Sequence, residues 1–299
     1  MADVVELAGI RKSYDHFVAV DDLSFVIRAG SVYGLLGPNG AGKTSTIRMM
    51  IGITMPDDGE VRLFGEKFHR SQLGRVGYLP EERGLYKRMK VLDHLVFLGR
   101  LHGLSEHEAR RRSLAWCKRL QLEEWAHKKV EELSKGMQQK IQFAAALLHE
   151  PDLIIMDEPF AGLDPANALT LKDILIELKK SGKTILFSTH RMDQVERLCD
   201  AICLIDHGRA LLEGDLAKIK ASYGKNHVQM QYDGDPRLEE CPLVQSINNY
   251  GNYVEVRLKP GADAQQLLRL ATERARISRF ELLEPSLEEI FIEQVGNHA

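Results

Sequence analysis

Long apolar runs are missing from this sequence of 299 residues. No stretch approaches the ~20 consecutive apolar residues that a membrane-crossing helix needs, and the N-terminus has no apolar segment typical of a secretory signal. We therefore expect any attachment to a membrane to come from a partner. The length suits one large and one small domain.

Excess charge and paired cysteines are missing as well. The net charge is −3, whereas electrostatic binding of nucleic acid needs a basic face, so we expect no nucleic-acid partner. A local cluster, Arg110-Arg111-Arg112 with Lys118 and Arg119, is interpreted as a solvated helix face, with acidic lipid or a partner loop as the alternative contact. The four cysteines form no CxxC pair, which favours reduced core thiols over a metal site.

A glycine-rich segment is the most informative feature that the sequence does contain. It follows an apolar run at 32–36 and precedes a helical pattern at 45–51, which gives the order strand, loop, helix. Glycines let successive N–H groups point at phosphate oxygens, and the helix presents its positive end to the same anion. The spacing GxxxxGKT predicts a phosphate-binding loop formed by Gly37, Pro38, Asn39, Gly40, Ala41, Gly42, Lys43, Thr44 and Ser45. Lys43 would reach the β- and γ-phosphates, and the Thr44 hydroxyl would ligate Mg²⁺.

Two acidic residues end a second apolar run. Residues 153–156 are apolar throughout, as in a strand that is buried on both faces, and Asp157 and Glu158 follow. The carboxyl ends of parallel strands border the crevice where α/β sheets bind ligands. Asp157 would hold Mg²⁺, and Glu158 would position or deprotonate an attacking water. The alternative is a strand that ends in two solvated acids.

The segment LSKGMQ at 133–138 lies between these elements and precedes a helical pattern. Taken alone, it predicts a serine N-cap. In this order the elements resemble the ATP-binding domain of ABC transporters, whose signature LSGGQ stands here. Ser134 and Gly136 match, whereas Lys135 and Met137 depart from the commonest form. The resemblance implies that Ser134 and Gly136 contact the γ-phosphate of the nucleotide held by the opposite subunit.

Other segments match that family in order. The sequence AGLD at 161–164 resembles the D-loop, which implies that Asp164 lies at a dimer interface. His190 follows a β-branched run and resembles the H-loop histidine that contacts the γ-phosphate and the attacking water. A lone histidine is otherwise more often structural. Tyr14 resembles the aromatic residue that stacks on adenine, with an exposed turn tyrosine as the alternative.

One residue departs from the family pattern at a functional position. The Q-loop usually has glutamine, and Glu81 occupies that place after residues 76–80. A carboxylate oxygen can ligate Mg²⁺ as an amide oxygen can, and it adds charge. We expect Glu81 to contact Mg²⁺ or its water and to relay the nucleotide state to a membrane partner. An acid in a solvated loop is the alternative.

The pattern of elements predicts two domains. Residues 1–222 are predicted to form an α/β P-loop NTPase with an antiparallel β subdomain that carries Tyr14. The resemblance implies the ABC type of this fold, with a helical subdomain at about 85–150. Residues 225–299 read as a small α+β unit without catalytic residues. This unit resembles the C-terminal accessory domain of ATPase subunits from drug- and sodium-extruding exporters, and our hypothesis is that it dimerises or regulates.

The resemblance implies an ATP-hydrolysing subunit of an ABC exporter, with ATP and Mg²⁺ as its cofactors. Two chains, expected to be identical, would close head to tail on two ATP molecules and drive a separate membrane-spanning subunit. That partner would hold the chain on the inner face of the cell membrane. The alternative is a soluble, non-transport ABC ATPase that acts on a macromolecular complex. Ribosome-acting relatives usually carry two ATPase units, and DNA-repair relatives a long coiled coil, and neither is visible here.

Overall fold

The computed structural model describes residues 2–82, 84–224 and 226–298, with side chains through residue 294. The chain divides into two compact units between Gly214 and Asp215. This division precedes the expected boundary at 222–225, and Lys225 itself lies outside the described residues, as does Arg83.

Two sheets organise the first unit. One has the antiparallel order β2-β1-β4-β5, and the other has the order β10-β9-β3-β8-β7-β6. The described strands are β1 (Asp3–Tyr14), β2 (Phe17–Arg28), β3 (Val32–Leu36), β4 (Asp58–Leu63), β5 (Glu66–Lys67), β6 (Val76–Leu79), β7 (Leu153–Asp157), β8 (Thr184–Thr189), β9 (Ala201–Asp206) and β10 (Arg209–Asp215). The predicted antiparallel subdomain is therefore present, and Tyr14 ends its first strand.

The second sheet is parallel at its centre. Strands β3, β7 and β8 are buried along their whole length, which suits their mainly apolar and β-branched sequences. β3 pairs with β8, β8 with β7, and β7 with β6, all in parallel. Their carboxyl ends therefore share one edge, where Gly37, Asp157 and His190 follow or end the strands.

The helices of the first unit pack on the strands and on one another. They are α1 (Lys43–Met50), α2 (Val91–Leu101), α3 (Glu106–Arg119), α4 (Lys135–Leu147), α5 (Pro165–Lys180) and α6 (Met192–Leu198). Helices α2, α3 and α4 pack together. The basic cluster lies on α3, where Arg111 and Arg112 contact Glu108, and Arg119 contacts Glu177. Three arginines of the cluster are thus paired with carboxylates, and the solvated-face interpretation stays a prediction.

The second unit is built on an antiparallel sheet in the order β12-β13-β11-β14. Its elements are α7 (Leu216–Ser222), β11 (His227–Gly234), β12 (Val244–Asn249), β13 (Val254–Leu258), α8 (Ala264–Thr272), β14 (Ala275–Leu283) and α9 (Leu287–His298). Val228, Met230, Val256 and Leu267 lie in its core. The predicted α+β composition is confirmed.

The four cysteines are free thiols that differ in burial. Cys117 and Cys203 are buried, whereas Cys199 and Cys241 are only partly buried, so the core location holds for two of the four. Burial raises the pKa of the Cys199 thiol well above its ordinary range. Of the helices in the described part of the chain, none has the length and apolar character needed to span a membrane.

Candidate functional site

The loop between β3 and α1 follows a path that only glycine permits at two positions. Gly37 has φ of 152°, and a Cβ there would lie 2.1 Å from the carbonyl oxygen of Ile205. Gly42 has φ of 105°, and its Cβ would lie 2.3 Å from the carbonyl oxygen of Ala19. Since both neighbours are backbone atoms, a larger residue would have to displace the main chain. The sequence pattern thus reports a steric requirement of the loop.

Lys43 opens α1 and folds back over this loop. Its Nζ donates hydrogen bonds to the carbonyl oxygens of Gly37 at 2.8 Å and Pro38 at 3.0 Å, and the residue is 7% exposed. Burial lowers the pKa of Lys43, while the charges of Glu158, Asp157 and Glu81 act in the opposite direction. The Lys43 side chain therefore lies near three carboxylates at the N-terminus of α1, a helix end at which an anion is favoured.

Asp157 at the end of β7 is held by two hydroxyl groups. Thr44 Oγ1 donates to Asp157 Oδ2 at 2.8 Å, and Ser188 Oγ donates to Oδ1. Asp157 is 1% exposed. Sequence reasoning missed Ser188, although a serine inside an otherwise apolar and β-branched strand is a signal for a buried polar contact.

Glu158 and His190 lie in direct contact. Glu158 Oε1 is 2.8 Å from His190 Nδ1 and accepts the backbone N–H of His190 at 3.1 Å. Thr189 Oγ1 donates to the other carboxylate oxygen at 3.2 Å. Glu158 has φ of 50°, a left-handed conformation that non-glycine residues rarely adopt and that clusters at functional sites. The two residues predicted to handle water are therefore neighbours.

These segments meet at one cavity of about 400 Å³. Its lining comes from the phosphate-binding loop, the Q-loop position and the carboxyl end of β7. The lining residues are Phe17, Ala19, Asn39, Gly40, Gly42, Lys43, Thr44, Ser45, Glu81, Asp157 and Glu158. Residues separated by more than a hundred positions in the sequence are thus brought together, as predicted.

The oxygen atoms of this cavity fit Mg²⁺ rather than a softer metal. The Thr44 hydroxyl and the Asp157 carboxylate are in contact, and Glu81 adds a second carboxylate to the lining. The described residues contain no group of three or more His, Cys, Asp or Glu that could hold a metal on its own. Mg²⁺ takes one or two protein carboxylates and completes its shell with phosphate and water, so this small set suits it.

Tyr14 is not among the residues that line the cavity. It is 39% exposed at the end of β1, with Lys12 Nζ 5.8 Å from its ring centroid. Phe17, which pairs with Tyr14 across the hairpin, lines the cavity and is 59% exposed. Sequence reasoning missed Phe17, although an aromatic residue three positions from Tyr14 was a visible signal.

Ser134, Gly136 and Asp164 also lie outside the lining of the cavity. Ser134 is the N-cap of α4 and accepts a hydrogen bond from the N–H of Met137 at 3.3 Å. Asp164 is the N-cap of α5 and accepts from the N–H of Asn167 at 2.9 Å. A Cβ on Gly136 would lie 3.3 Å from Asn167 Nδ2 and 3.9 Å from Asp164 Oδ2, so the starts of the two helices are neighbours.

Comparison with protein families matches both units. The family described as ABC transporter matches residues 20–161. The family described as ATP-binding protein DrrA1-3-like, C-terminal domain, matches residues 214–295.

Two relatives are similar over nearly the whole chain. The ABC transporter ATP-binding protein YhaQ of Bacillus subtilis (strain 168) is 43% identical over 288 residues, which are 96% of this chain and 97% of that protein. The Nod factor export ATP-binding protein I of Ralstonia nicotianae is 36% identical over 302 residues, which are 98% of this chain and 94% of that protein.

Solved structures show the same fold. A structure of the ATP-binding subunit of an ABC transporter superposes with a TM-score of 0.68 at 33% identity, covering 74% of this chain and 93% of that one. The dimeric post-hydrolysis state of the ATP-binding cassette MJ0796, bound to ADP and Pi, gives 0.65 at 25% identity, with 71% and 98% covered.

Proposed function

Because this chain belongs to the ATP-binding proteins of ABC transporters, we propose that it is the ATP-hydrolysing subunit of an exporter. The observation that supports hydrolysis best is the position of Glu158, whose carboxylate contacts His190 and borders the same cavity as Lys43 and Asp157. Members of the family hydrolyse ATP. A Glu–His pair beside a phosphate-binding loop is suited to that reaction.

The residues of the cavity would have different roles in phosphoryl transfer. Lys43 and the N–H groups of the loop would bind the β- and γ-phosphates of ATP. Thr44 and Asp157, with Glu81, would hold Mg²⁺, which neutralises charge on the phosphates when bound. Glu158 would accept a proton from the attacking water and orient it.

His190 would act with Glu158 on the side of the γ-phosphate. Its Nδ1 contact and its backbone N–H both reach Glu158 Oε1, so the carboxylate has one fixed orientation. The His190 side chain is 52% exposed. Its ring is therefore open to solvent beside Glu158, and we propose that it contacts the γ-phosphate there.

The residues left outside the cavity support a head-to-tail pair of identical chains. Ser134 and Gly136 stand at the N-terminus of α4, where N–H groups and the helix dipole favour an anion. We propose that they contact the γ-phosphate of ATP in a second chain, with Asp164 beside them at the interface. The dimeric MJ0796 cassette bound to ADP and Pi supports such an assembly.

A separate membrane-spanning subunit would complete the transporter. The described helices include none that could cross a membrane, and one relative is named for Nod factor export. We propose that the chain sits on the inner face of the membrane through that partner. The unit from Asp215 onward would serve as a regulatory or dimerising accessory domain, and residues 1–214 as the ATPase.

Affinity purification from detergent-solubilised membranes of the native cell tests this proposal. We expect a multi-span membrane protein to be recovered with the tagged chain in stoichiometric amount. Recovery of cytosolic machinery alone would instead support the soluble ABC ATPase. In parallel, purified chain should release phosphate from Mg-ATP, and a Lys43→Ala variant should not.

A further inference from the structure

A buried glutamine on α4 holds the loop that carries Glu81. Gln142 is 6% exposed, and its Nε2 donates to the carbonyl oxygens of Pro80 at 2.9 Å and Glu82 at 3.2 Å. These two carbonyl groups flank Glu81 on either side. One carboxamide therefore fixes the backbone on both sides of a residue that lines the nucleotide cavity.

A second glutamine on the same helix contacts the segment that follows Glu158. Gln139 is 3% exposed and donates through Nε2 to the carbonyl oxygen of Pro159 at 3.3 Å, directly after Glu158. Gln139 and Gln142 are three positions apart, so they share one face of α4. That face contacts the backbone beside both glutamates of the cavity.

The chemistry of the Gln142 amide fixes its direction. An NH₂ group has two hydrogens, and two carbonyl oxygens accept them here. A reversed amide would place its own oxygen against both carbonyl oxygens. The remaining Oε1 is buried and accepts no hydrogen bond from any described residue. The amide thus supplies two directional hydrogen bonds that an apolar side chain of similar size could not make.

We propose that Gln142 is a positioning residue that fixes Glu81 relative to α4. The same helix begins at Ser134, about 12 Å away at 1.5 Å per residue. A movement of α4 that follows the nucleotide of the neighbouring chain would therefore carry Glu81 with it. This inference rests on the proposed function, in which Glu81 holds Mg²⁺ and Ser134 serves the second chain.

The variant Gln142→Leu tests the proposal, because leucine fills similar volume and removes both donors. Hydrogen–deuterium exchange of the full chain without nucleotide should be faster, by about fivefold, in peptides covering residues 79–86. The Mg²⁺ concentration that gives half-maximal ATPase rate should rise by a similar factor. Affinity for a fluorescent ATP analogue in EDTA should stay within about twofold.

A matched control separates positioning from general loss of a buried glutamine. Gln72 is also buried and donates to the carbonyl oxygen of Leu63 at 3.0 Å, away from the cavity lining. Gln72→Leu should lower thermal stability and leave the Mg²⁺ response unchanged. In a Glu81→Ala background, Gln142→Leu should no longer alter the Mg²⁺ response, since the ligand that it positions is gone.

The two proposals fail in different ways. Unchanged exchange at residues 79–86 in Gln142→Leu would overturn the positioning role, and this measurement needs neither nucleotide nor turnover. A Mg²⁺ response that shifts equally in Gln72→Leu would overturn it too. Absence of Mg-ATP turnover in the wild-type chain would contradict the proposed function instead.

Discussion

The two units of this chain use their polar and charged residues in different ways. In the first unit, parallel strands bring the ends of distant segments to one edge, and Lys43, Asp157 and Glu158 face a common cavity. In the second unit, the strands are antiparallel, and the charged residues pair with one another across neighbouring elements. The parallel sheet thus places functional side chains at one edge, whereas the charged residues of the antiparallel unit stabilise its fold.

The pairs of the second unit are close and well bonded. His227 Nε2 lies 3.0 Å from Glu289 Oε1, and the other carboxylate oxygen accepts the backbone N–H and the hydroxyl of Ser286 at 2.8 and 2.9 Å. These bonds, the histidine first, lower the pKa of Glu289 to about 2. Arg257 contacts Glu293 beside them. The comparison predicts catalytic losses from changes at the cavity of the first unit and stability losses from changes in these charged pairs of the second.

The largest expected effect is at Glu158. Glu158→Gln removes the proposed base and should lower phosphate release from Mg-ATP by about 10²–10⁴-fold. Because ATP then persists, the variant should elute as a dimer in gel filtration with saturating Mg-ATP. Glu150→Gln is the matched control, because Glu150 precedes the N-terminal end of β7. This variant should keep the wild-type rate of ATP hydrolysis. A monomeric Glu158→Gln protein would count against the dimer.

A smaller effect is expected at Glu81. Glu81→Gln keeps an oxygen ligand and removes a charge, so the Mg²⁺ requirement for ATPase activity should rise by a few-fold, about 1 kcal/mol or less. Glu82→Gln changes the same loop at a residue that does not line the cavity and should behave as wild type. If Glu81→Gln leaves both the ATPase rate and coupled transport unchanged, the proposed role of Glu81 is wrong.

Removal of the second unit should have little effect on nucleotide binding. A chain that ends at Gly214 retains every cavity-lining residue, so its affinity for ATP should change by less than about threefold. Dimerisation or the rate of hydrolysis should change if the unit regulates. Fluorescent-nucleotide titration measures the affinity, light scattering the dimerisation and phosphate release the rate of hydrolysis. An insoluble truncated chain would show that the unit is needed for folding.

The smallest effect concerns the acid stability of the second unit. Glu289 has a folded pKa of about 2, below its ordinary 4.5. Its ionised form therefore stabilises the fold fully above pH ~4.5, and this contribution is lost as the pH falls towards 2. The side chain is 34% exposed, so solvent screening limits the contribution to about 1 kcal/mol.

Hydrogen exchange at pH 5 and pH 3 measures that contribution. Between these values, residues 227–290 should lose more protection in the wild type than in Glu289→Gln. Glu281→Gln, at an exposed residue of β14 paired with Arg279, is the control and should follow the wild type. Equal losses in all three proteins would contradict the role of Glu289.

Local patterns predicted the parts of the site that lie at strand ends. Gly37, Lys43, Asp157 and His190 follow or end apolar runs, and a parallel sheet brings such positions together without further information. The assignments of roles to Tyr14, Ser134, Gly136 and Asp164 stay predictions, because their ligands belong to other molecules.

Contacts between distant segments were not predicted from the sequence. Ser188, Phe17 and Gln142 act through partners that are 31 or more positions away or through a cavity, and no spacing rule encodes such pairs. The compact division also lies before the boundary that the sequence predicts at 222–225. Asp215 accepts a hydrogen bond from the N–H of Lys218, so it caps α7 and starts the second unit before the Tyr223-Gly224 turn.

The hydrogen bond between Thr44 and Asp157 bears on the entropy of ligand binding. Each side chain is already restricted to one arrangement by its partner, and Ser188 restricts Asp157 further. Ordering a free side chain costs up to about 2 kcal/mol. Here the two side chains are already ordered by folding, before Mg²⁺ binds. Mg-ATP would therefore bind to oxygen atoms that are already in place. The loss of side-chain entropy at Thr44 and Asp157 on binding should be small.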